Sequence, residues 1–93
     1  MTKDGLELLF QYKILFMNKT IESLIMSINN SEKIKTKLLT NMKTQSKKTI
    51  VLNLVELDFH FDKKEVELIY YAVDSKYPNT KLSFEEFKKK LIN

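Results

Sequence analysis

Apolar residues recur every three or four positions along much of this chain, the spacing that gathers them on one face of a helix. Leu6, Leu9, Phe10, Ile14 and Met17 form a first stripe, widened by Leu8 and Leu15, with Asp4 placed to cap its start. A second run covers Ile21 to Ile28, and Asn29-Asn30-Ser31 then supplies a turn whose serine can cap a third helix from Glu32 to about Lys43. Ile34, Leu38, Leu39 and Met42 line one side of that helix, opposite Lys33, Lys37 and Lys43.

Beyond the polar segment Thr44-Gln45-Ser46-Lys47-Lys48, the stretch from Thr49 to Leu57 is expected to begin extended and continue as a short helix. Phe59-His60-Phe61 reads as an apolar hinge. Asp62 with Glu65 has the spacing of a helix-opening capping box, and Val66, Ile69, Tyr70 and Val73 would form the buried stripe that follows. Tyr77-Pro78-Asn79-Thr80 breaks that helix, and Ser83 with Glu86 opens a last one, in which Phe84, Phe87 and Leu91 face inward. Lys88-Lys89-Lys90 suits the C-terminal end of its dipole. A weak repeat of about thirty residues places Thr20-Ile21, Thr49-Ile50 and Lys81-Leu82 each between a polar break and a helix. With one glycine and one proline, the chain has few of the residues that turns between strands usually need. The expected fold is therefore one all-α domain over residues 1–93, with at most short β contacts between loops.

Composition narrows the class. Ninety-three residues support one modest core, and 43% hydrophobic with 30% charged residues suits a globular chain. The absence of cysteine excludes disulfides, thiolate metal sites and a cysteine nucleophile, and favours a reducing compartment. Lysine or glutamate interrupts the apolar runs too often for a signal-peptide core or a membrane span, so the chain is read as mature, soluble and cytoplasmic. All sixteen basic residues are lysine and the net charge is +4, which permits attraction to acidic partners.

From Glu65 to Phe87 the order of residues resembles the second EF-hand of calmodulin-like proteins, most clearly over residues 62–91. Val66, Ile69, Tyr70 and Val73 match its entering helix, Asp74 the loop start, Leu82 the β position, and Ser83-Phe84-Glu85-Glu86-Phe87 the start of its exiting helix. Calcium needs six to eight oxygens, supplied in such a loop from positions 1, 3, 5, 7, 9 and 12. Counting back from Glu86 as the last of these gives Ser75, Tyr77, Asn79, Lys81 and Ser83, with Thr80 where glycine belongs. Starting from Asp74 makes the loop one residue too long and meets Lys76 and Pro78 instead of oxygen ligands. Asp74, Asn79, Ser83 and Glu86 thus read as a vestigial loop that holds no metal, and no cofactor is expected. Poorer matches extend upstream, from Leu9-Phe10 through Ile21 and from Glu32 through Val55. EF-hand chains without calcium ligands look like myosin light chains, although that family is usually acidic and this chain is basic. The resemblance implies an EF-hand-like, calcium-independent adaptor or light chain that receives an amphipathic target helix from a myosin neck or cytoskeletal scaffold. Leu38, Leu39, Met42, Val55, Ile69 and Phe87 are the residues expected to line its groove.

Other chemistry is sparse. His60, the only histidine, sits between Phe59 and Phe61 with no convincing nucleophile to serve, and Glu65, Glu67, Glu85 and Glu86 fall where helix starts are expected. No enzymatic activity is expected. Lys33, Lys37, Lys43, Lys47 and Lys48 form the densest basic region, which defines an alternative function: a basic helical bundle on nucleic acid or another anionic surface. Without arginine, bidentate reading of bases is disfavoured. A third reading, an inhibitor or immunity-type helical protein, rests on size alone.

Overall fold

The computed structural model describes residues 18–92. The first expected helix, Leu6 to Met17, and its Asp4 cap lie outside the described residues. Within them the chain runs α1 (Lys19–Ile28), α2 (Glu32–Thr44), β1 (Thr49–Val51), β2 (Val55–His60), β3 (Glu65–Tyr70), β4 (Thr80–Ser83) and α3 (Phe84–Ile92). The four strands make an antiparallel sheet in the order β1-β2-β3-β4. This is an α+β fold, and it overturns the all-α expectation together with the EF-hand-like arrangement of helices.

The correction is concentrated in residues 55–70. Val-Glu-Leu-Asp-Phe-His and Glu-Val-Glu-Leu-Ile-Tyr alternate apolar and polar residues nearly throughout, the two-residue period of a strand with one wet and one dry face. The two strands pair from Val55 with Tyr70 to His60 with Glu65, so Val55, Leu57, Phe59, Val66 and Leu68 all fall on the buried face. Residues 49–51 are extended as expected, but β2 replaces the short helix that was to follow, and β3 replaces the entering helix of the supposed EF-hand. Asp62 opens no helix: Phe61 to Lys64 form the hairpin turn, with Lys63 N–H donating to the His60 carbonyl at 3.1 Å. Lys64 takes the left-handed conformation there, φ 53°, the position that glycine or asparagine normally fills. The proposed repeat also dissolves, since Thr20-Ile21 lies inside a helix while Thr49-Ile50 and Lys81-Leu82 lie in strands.

The helices lie where the apolar spacing put them. Asn18 caps α1, its side-chain oxygen accepting from Ile21 N–H at 2.9 Å, and Ser31 caps α2 through Ile34 N–H at 3.3 Å. Between them Asn29 and Asn30 both adopt positive φ, which their short polar side chains tolerate. At α3 the capping box forms as expected: Glu86 N–H donates to Ser83 Oγ at 3.1 Å, and Ser83 N–H donates to Glu86 Oε1 at 3.2 Å.

One core joins the layers. Leu24 and Ile28 from α1, Leu38 and Met42 from α2, and Phe87 and Leu91 from α3 meet Ile50, Leu57, Val66, Leu68 and Leu82 of the sheet. Phe59 packs edge-on to Phe87 and Phe84, with ring centroids 6.1 and 6.4 Å apart. Hydrogen bonds tie α1 at both ends to the loops that connect the strands: Thr20 Oγ1 donates to the Pro78 carbonyl at 2.6 Å, and Leu54 N–H donates to Ser27 Oγ at 3.0 Å.

Charge divides between the layers. The strand alternation places Glu56, Asp58, Glu65 and Glu67 on the face away from the core, with Thr49, His60, Lys81 and Ser83. Asp58 stands opposite Glu67 across the strands, and Lys81 opposite Glu67 on its other side. The Glu56 carboxyl is pushed above its ordinary range, first by its hydrogen bond with Asp58 and then by that residue's charge and by burial. The three helices and the loop before β1 carry ten lysines against Glu22, Glu32, Glu85 and Glu86.

Lys64 gives a direct check on the hairpin. A left-handed L-residue costs about 1–2 kcal/mol, and glycine returns part of that gain as unfolded-chain entropy. Lys64→Gly is expected to stabilise the fold by about 0.5–1 kcal/mol, read as a higher urea midpoint at unchanged slope.

Candidate basic cleft at the end of helix α2

The residues expected to line a partner-helix groove are placed elsewhere. Leu38, Met42, Val55 and Phe87 are core residues, at most 6% exposed, and Leu39 is half-buried against them. Ile69 lies on the opposite face of the sheet, beside Glu56. The six do not share an open groove. The vestigial loop residues are likewise dispersed along the chain's path: Asp74 and Asn79 sit in the loop between β3 and β4, Ser83 ends β4, and Glu86 lies in the first turn of α3. Asp74 Oδ1 accepts from Lys76 N–H at 2.9 Å, and Ser83 and Glu86 serve each other as a cap. Among the described residues no cluster of three metal-ligating side chains forms.

The expected basic patch is brought together in part. Lys33, Lys37, Lys43, Lys47 and Lys48 are all exposed. Lys33, Lys37, Thr40 and Thr44 follow the helical repeat along one flank of α2, whereas Lys43 projects from another flank. Where α2 ends, Lys37, Thr40, Asn41, Thr44, Ser46, Lys47 and Ile50 surround a cleft of about 260 Å³. No carboxylate lines it. Among the described residues, neither Lys37 nor Lys47 has a carboxylate within ion-pair distance; Lys35 pairs with Glu32 at 3.7 Å.

Asn41 builds the cleft. It is 5% exposed, a buried amide that needs partners, and it finds both in one residue. Its Nδ2 donates to the Lys47 carbonyl and its Oδ1 accepts from Lys47 N–H, each at 2.9 Å. Gln45, in the left-handed conformation, donates its N–H to the Asn41 carbonyl at 2.8 Å and turns the chain out of the helix. Thr44 Oγ1 and Ser46 Oγ share a 2.6 Å hydrogen bond on the rim. The lysines were legible as a charge run. The hydroxyls were not, because their meeting depends on how Asn41 folds the loop back.

A second concavity, about 550 Å³, lies in the loop between β3 and β4, with Tyr70, Tyr71, Tyr77, Pro78 and Asp74 among its walls. Tyr70 stacks on Tyr77 at 3.9 Å between centroids, and Lys19 Nζ lies 5.8 Å from the Tyr77 ring centre. Burial, and next the neighbouring Tyr71 and Tyr77 phenols, push the Tyr70 hydroxyl up from the ordinary 10.0 to about 12. These rings satisfy one another and fasten the loop. His60 stands on the open sheet face with its Nε2 3.6 Å from Glu67 Oε1, so Glu67 and Glu65 support no helix start. No helix among the described residues is long and apolar enough to cross a membrane. Comparison with protein-family models, curated proteins and solved structures finds no match to this chain.

Two measurements check this geometry. Asn41→Ala strands the Lys47 amide and should cost about 1–3 kcal/mol, with hydrogen exchange at Lys47 accelerating more than at core amides of β2 and β3. For Tyr70, the folded state holds a proton that the unfolded chain releases near 10.0, so this contribution to stability is complete below that pH and fades as pH rises towards about 12. Spectrophotometric titration should show a late tyrosine transition that disappears in Tyr70→Phe.

Proposed function

We propose that this chain is a non-catalytic binding module for a phosphate-bearing polyanion, a nucleic-acid backbone, engaged through the exposed lysines of α2 and the loop after it. The observation that carries the reading is the carboxylate-free cleft at the end of α2, where Lys37 and Lys47 converge from two different elements. Most acidic side chains of residues 49–83 fall on or around the opposite, sheet side, which leaves the helical side free of their repulsion. A rigid, hydroxyl-bearing cleft suits a phosphate chain better than a bilayer, which would call for an apolar wedge beside the lysines. With lysine in place of arginine, recognition acts on backbone charge and not on base identity. Burial of Leu38, Met42, Val55 and Phe87 leaves the amphipathic-helix partner without a docking groove. A cytoplasmic setting accords with the absence of cysteine.

Fluorescence anisotropy with a homopolymeric single-stranded oligonucleotide tests the proposal. Affinity should fall with salt with a log–log slope of about −0.7 per phosphate neutralised, and replacing Lys33, Lys37 and Lys47 with glutamine should make that slope shallower. Binding indifferent to salt, or unchanged in the triple variant, would count against it.

A further inference from the structure

We infer that the cleft between Lys37 and Lys47 is a seat for one terminal phosphate group, a phosphomonoester at the end of a chain, in contrast to a diester within it. This rests on the polyanion reading above and names which phosphate the site takes.

The chemistry of the walls carries the inference. A monoester at neutral pH bears close to two negative charges and has three free oxygens, whereas a diester bears one charge and has two. The cleft offers two ammonium groups from separate walls and the hydroxyls of Thr40, Thr44 and Ser46. Thr44 and Ser46 spend one hydroxyl proton on their mutual 2.6 Å hydrogen bond, so the other proton remains to donate to a ligand. The backbone of this wall is preorganised, since Asn41 holds the Lys47 N–H and carbonyl by two 2.9 Å hydrogen bonds before any ligand arrives. Ile50, 5% exposed, closes the inner side of the cleft.

One effect opposes the assignment. The C-terminal end of α2 points its dipole at this region, equivalent to about half a negative charge. Two full positive charges outweigh it, and the Asn41 carbonyl near the helix end is already occupied by the Gln45 N–H. Two other concavities among the described residues fit the ligand less well, because Asp74 lines one and Asp62 another.

The test compares a single-stranded oligonucleotide carrying a 5′-phosphate with the same strand ending in a 5′-hydroxyl, both labelled at the 3′ end. Wild type should prefer the phosphorylated strand by about tenfold, equivalent to about 1.4 kcal/mol. Thr44→Val with Ser46→Ala should remove the preference for the phosphorylated strand, and Lys37→Gln, at an exposed position, should weaken the preference without affecting the fold. Equal binding of both strands by wild type overturns the seat and leaves the polyanion reading intact. If neither strand binds, the polyanion reading falls, and titration with inorganic phosphate decides the seat alone. Amide shifts confined to residues 40–47 support it, and no shift there overturns it.

Discussion

The central hairpin dictates the rest of the molecule. Pairing β2 with β3 places Val55, Leu57, Phe59, Val66 and Leu68 on one surface, and such a surface in water demands a cover. The cover comes from both directions along the chain: α1 and α2 precede the sheet, and α3 returns from its last strand to insert Phe87 and Leu91. No single helix spans the area, which is why residues distant in sequence share one core. The same constraint turns the polar alternates outward, so the acidic sheet face follows from the pairing register.

The basic cleft is a by-product of ending α2 and entering β1 within four residues. Thr44 leaves the helix, Gln45 reverses the backbone, and Asn41 ties Lys47 back against the helix it has just left. A buried amide with both of its hydrogen-bonding ends on one residue makes the turn reproducible without glycine. The lysines that flank it therefore hold a fixed separation at their backbone, although their amines remain mobile in solvent. The shape of the cleft is thus set by a residue buried at its wall.

Much of this was written legibly in the chain, and the failures have physical causes. The caps at Ser31 and Ser83 and the extents of α2 and α3 were readable because side-chain capping is a local interaction. The sheet was missed although Val55–His60 alternates without exception, because scarce glycine and proline were taken to exclude tight turns. The molecule instead puts Lys64 and Gln45 at positive φ, and tertiary packing outweighs that local cost. Reading Val66, Ile69, Tyr70 and Val73 as a helical stripe selected four residues from a segment in which Val66, Leu68 and the partly buried Tyr70 face the core, while Ile69 lies on the other face and Val73 is fully solvent-exposed. The lysine cluster of the cleft was visible as charge. Its hydroxyls belong to a closed loop, and closure is not a property of any short stretch of sequence.

Among the described residues charge is separated across the thickness of the fold, positive on the helical side and negative on the open side of the sheet. In the field of a polyanion such a separation of charge would produce a torque as well as an attraction, turning α2 forward before contact. Copies seated side by side along one strand would expose a continuous row of Glu56, Asp58 and Glu67, a negatively charged outer coat. Such a coat would repel a second strand, so the proposed binding would sheathe single polymers instead of bundling them.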